Sequence, residues 1–418
     1  MFDLLGIQKT QNKGVFNGEW RGSGPVIASM NPVNNQVIAE VVSGSPDDLS
    51  TTLDRVAEAQ KVWGEMPVPA RGQVLLSMRN TLVQYLEPLG KLVALEMGKI
   101  LPEGVGEVQE YVDILEYALG LSRMLQGSLI PSERPGHVML ETWNPLGTVG
   151  VISAFNFPVA VYGWNNAIAL VTGNGVLWKP SPTTPLCSIA ITRLLEKTLR
   201  EHQLSPALCS LVTGGPDVGQ ALTQDRRAHL VSFTGSTRVG REVGITVQSR
   251  FGKKILELGG NNAIIVMDDC DLELAVRAVL FSAVGTAGQR CTTTRRLIVH
   301  ETIYDTLLQR LVKAYEQIKV GDPLEPDVLC GPLHTKAAVA TYEKLIETVK
   351  EQGGEILTGG RVLRDDPLKD GNFVAPTITK VRPDMDIVKH ESFVPVLHTM
   401  SFKVKEKKTK NGAINNSD

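Results

Sequence analysis

The residue of this chain best placed for chemistry is Cys291, in the segment Gly288-Gln289-Arg290-Cys291-Thr292-Thr293-Thr294. Free cysteine is most often a small buried hydrophobe, and this polar, small-residue setting suits that role poorly. An adjacent guanidinium favours the thiolate, the form that attacks electrophiles. Upstream, Glu257 closes the run Lys253-Lys254-Ile255-Leu256 and precedes Leu258-Gly259-Gly260-Asn261. A carboxylate at a strand end before a glycine turn points into a cleft; the plainer alternative is a surface pair with Lys253 or Lys254. Thiolate and carboxylate together carry acyl chemistry at a carbonyl carbon. The remaining cysteines, Cys187, Cys209, Cys270 and Cys330, lie in apolar or ordinary polar runs and read as packing residues.

Other groups qualify the picture. Asn156, in Ala154-Phe155-Asn156-Phe157-Pro158, has an amide that could donate to a developing oxyanion. Its segment alone favours a helix N-cap, with Pro158 in the first helical turn. Phe233-Thr234-Gly235-Ser236-Thr237-Arg238-Val239-Gly240 is a strand running into a glycine-flanked helix start, where backbone N–H groups attract phosphate. It is not the G-x-G-x-x-G fingerprint. Gly214-Gly215-Pro216-Asp217-Val218-Gly219 is a second such strand end, with turn chemistry as its simpler reading. Lys179, between Trp178 and Pro180, reads alone as a solvated lysine.

The elements that must hold these groups alternate in type. Strands are expected at 148–153, 175–179, 208–212 and 229–233, with helices at 159–171 and about 186–202 between them. Beyond Glu257 come strands at 262–267 and 295–300, and helices at 272–284, about 302–318 and 335–352. Such alternation predicts parallel sheets with helices on both faces. Two α/β layers suggest two domains meeting at a cleft. Residues 126–143, with Pro131, Pro135 and Gly136 among Leu and Val, predict an exposed β-hairpin able to pair with another subunit.

The chain has 418 residues, 42% hydrophobic and 21% charged, with net charge −2. The length is about three domains' worth, and the charge carries no footprint for nucleic acid. Five scattered cysteines without C-x-x-C spacing, and seven histidines without H-E-x-x-H, argue against a disulfide framework and a metal site. No apolar run approaches bilayer-spanning length. A reducing, cytoplasmic setting is the simplest expectation; a mitochondrial form without its leader would have the same composition.

Taken in order, Asn144-Pro145-Leu146-Gly147, Phe155-Asn156-Phe157-Pro158, Trp178-Lys179-Pro180, Phe233-Thr234-Gly235-Ser236-Thr237, Glu257-Leu258-Gly259-Gly260, Gly288-Gln289-Arg290-Cys291 and Glu391-Ser392-Phe393 resemble the aldehyde dehydrogenase superfamily over residues 15–402. ELGGNNAI (257–264), GQRCTTTRR (288–296) and GVGEVQEYVD (104–113) look like its antiquitin branch. The resemblance implies an α/β fold with a Rossmann-type NAD-binding domain (1–125 and 144–258), an oligomerisation hairpin (126–143) and a second α/β catalytic domain (259–402). It implies NAD-dependent oxidation of an aldehyde, α-aminoadipic semialdehyde in lysine breakdown for that branch. Cys291 would be the nucleophile, Asn156 and the Cys291 N–H the oxyanion donors, and Glu257 the base for thioester hydrolysis. Lys179, Gly235 and Ser236 would hold the adenosine and pyrophosphate, and Glu391 and Phe393 the nicotinamide ribose. Ser153, Phe155, Gly219 and Leu258 would line the same groove. Arg290, Glu110 and Thr292 would contact substrate, with Arg290 on its distal carboxylate; the alternative is that Arg290 only tunes the thiol.

Two departures shape the expectations. Three residues beyond Lys179, where many members carry a ribose-binding glutamate, stands Pro182. The family pattern continues past Val396, whereas here a polar Lys/Asn-rich stretch at 403–418 follows, with a composition that predicts disorder. The sequence therefore reads as having an alternative or incomplete C-terminus, with solubility and the family's homotetramer in question. The competing reading is a catalytically impaired NAD-binding or structural product of the same fold. A third, transfer of the acyl group to coenzyme A, is opposed by Glu257.

Overall fold

A computed structural model describes residues 1–404. The expectation of a disordered tail falls, beyond Val404, outside the described residues. The chain forms two compact units. The first comprises Met1–Gly259 with Lys319–Lys336 and Arg364–Phe373; the second comprises Gly260–Ile318, Ala337–Leu363 and the chain from Val374.

The first unit is built on a seven-stranded sheet. Its spatial order is Lys253–Glu257, Ala228–Thr234, Thr148–Ile152, Gly175–Lys179, Cys209–Val212, Val15–Phe16 and Trp20–Arg21. The first five strands are parallel, as the strand–helix alternation predicts; the last two join antiparallel. Thr148–Ile152 and Gly175–Lys179 are buried at every residue, which is why they read as continuous apolar runs. The chain builds outward from Thr148–Ile152 to Cys209–Val212, then returns to the other side at Ala228–Thr234. At such a reversal a parallel sheet opens a crevice outside its carboxyl edge.

The sequence reading assigned no elements before residue 126. There, besides the short helix Phe2–Leu5, the structure has four longer helices, Pro46–Glu65, Val68–Gln84, Leu86–Met97 and Leu101–Leu121. Ser45 and Asp48 form a reciprocal capping box on the first, each side chain accepting from the other's backbone N–H. A three-stranded sheet, ordered Asn12–Lys13, Gln36–Val42 and Val26–Asn31, completes this part.

Two helices begin on carboxylates from elsewhere in the unit. Glu96, fully buried, accepts from Ser29 Oγ and from the N–H groups of Leu186 and Cys187 at the start of Pro185–Glu201, at 2.7, 2.8 and 2.8 Å. Burial raises its pKa against those hydrogen bonds. Glu107 accepts from Val159 N and Ala160 N at 2.6 and 3.1 Å, at the start of Ala160–Val171. Its other oxygen pairs with buried Lys99 at 2.6 Å.

The expected hairpin is present, Leu129–Pro131 antiparallel to Val138–Leu140. Its apolar side chains face outward, Leu129 and Leu140 each 70% exposed.

The second unit has a five-stranded sheet ordered Asn262–Val266, Thr294–His300, Val396–Phe402, Thr377–Lys380 and Glu355–Thr358. The first four are parallel and the last antiparallel. Its helices are Leu272–Val284, Tyr304–Glu316 and Lys336–Glu351. Asp271 caps the first, accepting from Glu273 N and Leu274 N.

Candidate active site

In the first unit the candidate cofactor residues follow the carboxyl ends of adjacent parallel strands. Ser153 and Phe155 follow Thr148–Ile152, Lys179 ends its strand, Gly235 and Ser236 follow Ala228–Thr234, and Leu258 follows Glu257. The solvated-lysine reading fails, because Lys179 is only 6% exposed. Burial lowers its pKa to about 8, partly opposed by Asp217. Gly219 lies alongside: a Cβ there would sit 4.0 Å from Lys179 Cε.

Ser153 Oγ accepts from Trp178 Nε1 at 2.8 Å, and Ser153 N donates to the Lys179 carbonyl at 3.2 Å. The Trp178 ring stacks on Tyr162 at 3.8 Å. These contacts fix the first turn after the strand against the core.

The Phe155 ring stacks on His334, 4.6 Å between centroids and 9° from parallel. His334 sits between Thr183 Oγ1 at 2.8 Å and the Met97 carbonyl at 3.2 Å. Burial lowers its pKa to about 4, so the ring is neutral at physiological pH. The partners then assign the tautomer: Nδ1–H donates to Met97 and Nε2 accepts from Thr183.

A stability consequence follows. The unfolded ring titrates near 6.5 and the folded one near 4. As pH falls from 6.5 towards 4, the unfolded chain takes up a proton that the fold refuses. Stability present above pH 6.5 is therefore lost through that window, by roughly 3 kcal/mol for a shift of this size. Buried His398, also lowered to about 4, acts in the same sense. Urea unfolding at pH 6.5 and pH 4 checks this, and His334→Phe, which keeps the stacked ring, is expected to shrink the difference.

The helix Thr237–Ser249 opens at Ser236, whose Oγ accepts from Val239 N at 3.4 Å. Gly235 N donates to the Glu257 carbonyl at 3.1 Å. Gly240 lets this helix lie flush on Leu258, since a Cβ there would come within 2.2 Å of its side chain. A buried lysine, a helix N-terminus and a sheet reversal on one edge are the donor set that fits a dinucleotide.

Asn156 is buried, but it is not a helix cap. The helix begins at Ala160 with Val159 as N-cap, and Glu107 receives its first N–H groups. Pro158 likewise precedes the helix instead of opening it. Lys99 anchors the same turn, its ammonium 3.8 Å from the Phe157 ring centre. Asn156 is thereby left in a fixed turn at the strand's end. Glu257 is exposed at its strand end, and Lys254 gives its ammonium to Gln248 Oε1 at 2.6 Å. Glu110 is exposed on the helix Leu101–Leu121.

In the second unit the candidate residues gather at the opposite end of a sheet. Gly260 and Asn261 precede Asn262–Val266, Cys291 precedes Thr294–His300, and Glu391 and Phe393 precede Val396–Phe402. All lie at the amino edge of the parallel strands. Cys291 and Thr292 are exposed, whereas Cys187, Cys209 and Cys330 are buried. Burial pushes the Cys209 and Cys330 thiols up to about 12 and raises the Cys187 thiol well above its ordinary value, with Glu96 adding to the effect there. Three thiols are thus held as inert packing groups.

The peptide around Cys291 is tightly pinned. Asn262 Nδ2 donates to the Cys291 carbonyl at 2.6 Å and to the Thr293 carbonyl at 3.0 Å. Thr293 Oγ1 accepts from Arg290 N at 3.2 Å. Buried Gln289 donates from Nε2 to the Thr286 carbonyl at 3.0 Å. Thr286 and Ala287, each at φ 52, and Gly288 at φ +71 are consecutive left-handed residues. At Gly288 a Cβ would meet the Val394 backbone at 2.5 Å, so only glycine fits there. Runs of this conformation in non-glycine residues are costly and cluster at functional loops.

The Arg290 Nε donates to Thr286 Oγ1 at 2.8 Å, and its guanidinium lies 5.5 Å from the Phe281 ring centre. Arg295 donates to the carbonyls of Arg290 and Thr293, on either side of Cys291. Burial lowers its pKa, opposed first by Glu391 and then by Cys291. Sequence reasoning missed Arg295, Asn262, Glu107 and His334. The signal for Arg295 was a charge at the second position of a strand that begins buried, which needs a partner.

The chain belongs to the aldehyde dehydrogenase family, whose model matches residues 20–417. It is 53% identical over 403 residues to alpha-aminoadipic semialdehyde dehydrogenase of Rattus norvegicus, an alignment spanning 96% of this chain and 74% of the rat protein. It is 52% identical over 413 residues to aldehyde dehydrogenase family 7 member A1 of Pisum sativum, covering 99% of this chain and 80% of the pea protein. Among solved structures it resembles betaine aldehyde dehydrogenase of Staphylococcus aureus in complex with NAD+, at TM-score 0.91 and 29% identity, covering 96% of this chain and 80% of that one.

Proposed function

We propose that this chain oxidises an aldehyde to its carboxylic acid with NAD as oxidant, and that α-aminoadipic semialdehyde is its substrate. Family membership and the identity to the rat semialdehyde dehydrogenase support the reaction. The observation that carries the reading is an exposed thiol on a rigid strained loop, in a chain whose other sheet ends in a dinucleotide-type edge.

Cys291 as thiolate adds to the aldehyde carbon, giving a thiohemiacetal whose oxyanion takes hydrogen bonds from the Asn156 amide and the Cys291 N–H. Lys179, Gly235, Ser236 and Glu391 would hold NAD, which would supply the acceptor for the hydride whose loss from the thiohemiacetal leaves a thioester on Cys291. Glu257 takes a proton from water, the hydroxyl adds to the thioester, and the C–S bond breaks. The acid leaves and the thiolate returns.

For the substrate, Arg290 pairs with the distal carboxylate, with Glu110 accepting from the amino group and Thr292 bordering the thiol. The test is NADH formation with the semialdehyde and with a plain alkanal. Arg290→Ala is expected to lower kcat/KM for the semialdehyde roughly ten- to hundredfold, the worth of a charge-assisted pair, and to spare the alkanal. Equal effects on both substrates would remove the carboxylate clamp. NAD binding without turnover of any aldehyde would favour the reading as an impaired NAD-binding product.

A further inference from the structure

Arg295 is the second residue of the strand Thr294–His300 and is 1% exposed. Its two terminal nitrogens reach four acceptors. Nη1 donates to the carbonyls of Gly260 and Thr293 at 2.9 and 3.0 Å. Nη2 donates to the Arg290 carbonyl at 2.8 Å and pairs with Glu391 Oε1 at 3.2 Å. Gly260 N donates to the same Glu391 oxygen, also at 3.2 Å. The guanidinium carbon lies 5.6 Å from the Phe393 ring centre.

We propose that Arg295 is a positioning residue that ties the Glu391 carboxylate to the peptide on both sides of Cys291. The residue before the nucleophile, the residue two after it and the proposed ribose-binding carboxylate then share one rigid guanidinium. This rests on the reading of Cys291 as nucleophile and Glu391 as a cofactor contact. A neutral donor could satisfy one of the carbonyls. Only a planar cation with several forked donors can hold three carbonyls and offset the Glu391 charge together. The neighbouring arginines are otherwise engaged: Arg296 donates to the Asn261 carbonyl at 2.6 and 3.1 Å, and Arg290 to Thr286. The Glu391 side chain is 24% exposed, so the pair lies at the rim of the site, where a ligand can reach it.

The test compares Arg295→Gln, Arg295→Lys, Glu391→Gln and the double variant Arg295→Gln/Glu391→Gln. NAD affinity is read by fluorescence quenching, Cys291 alkylation by iodoacetamide in NAD-free protein, and kcat by NADH formation, with thermal midpoints recorded for each. Arg295→Gln is expected to weaken NAD binding about tenfold or more and to slow alkylation severalfold, since both ends of the tie are lost. Arg295→Lys is expected to restore alkylation, which needs the charge, but not NAD affinity, which needs the fork. Glu391→Gln should weaken NAD binding and leave alkylation alone. The double variant should bind NAD no worse than Arg295→Gln, because the two residues act as one unit.

Additive losses in the double variant would overturn the proposal. So would an Arg295→Gln protein with a lower thermal midpoint but unchanged NAD affinity and alkylation. If Arg295→Gln does not fold, the Lys variant decides alone, and unchanged NAD affinity in it overturns the tie. A wild-type protein that produces no NADH would count against the proposed function, while the binding and alkylation readouts would still judge Arg295.

Discussion

Replacing Cys291 by serine is expected to abolish NADH formation while leaving the fold and NAD binding in place. The substitution is nearly isosteric, and the contacts that hold this residue use its backbone: Asn262 grips the Cys291 carbonyl, and Arg295 grips the carbonyls of Arg290 and Thr293. The loop therefore has no reason to move. Only the sulfur changes, and with it the ability to present an anionic nucleophile near neutral pH. The expected fall in kcat is about ten-thousandfold or more, the scale seen when a covalent nucleophile is removed. Steady-state NADH formation and equilibrium NAD binding on the same preparation check both halves. A serine variant keeping a tenth of wild-type turnover would mean that Cys291 is not the reacting group.

Glu257→Gln is expected to lower kcat roughly hundred- to ten-thousandfold, the usual contribution of a general base. The amide keeps the shape and a hydrogen-bonding oxygen but cannot take a proton. Glu257 ends its strand with its carbonyl engaged by Gly235 N, so the main chain should hold through the change. The loss should fall on hydrolysis more than on thiol addition. Hydroxylamine, a nucleophile that attacks thioesters without a base, should then restore part of the turnover and yield the hydroxamate. If it restores nothing while alkylation of Cys291 proceeds at the wild-type rate, Glu257 acts before the thioester forms, and its assignment to hydrolysis is wrong.

The elements most legible in the sequence were those whose signal is local. Gly175–Lys179 and Leu272–Val284 were read to the residue, because Pro180 stops the one and Asp271 caps the other. Both strands flanking the sheet reversal were placed within a residue or two. The turn at Asn156 was misread because its organising group is remote: Glu107 lies 52 residues before Val159, and no spacing rule connects them. The same holds for Arg295 with Glu391 and for Phe155 with His334. Lys179 shows a subtler limit. The side chain's type suggested solvent, but strand register and the neighbouring helices decide burial, and those are set by the whole sheet. The helices between Pro46 and Leu121 went unread, although Ser45, Pro46 and Asp48 carry a capping-box signal that was there to be used.

The first unit is discontinuous, and this constrains how the molecule can be made and dissected. Lys319–Lys336 and Arg364–Phe373 belong to that unit, and the former carries His334, the partner of the Phe155 ring. A chain emerging from the ribosome can pair its seven strands once Glu257 is free, yet the stack of Phe155 on His334 must wait for residue 334. Asn35, near the amino end, donates to the Asp370 carbonyl and to Asn372 Oδ1 at 2.7 and 3.1 Å. The segment around Asn35 is therefore completed by residues synthesised more than three hundred positions after it. A fragment ending at Gly259 would contain every strand of the seven-stranded sheet but lack these later closures. Such a fragment should be a poor stand-in for the first unit.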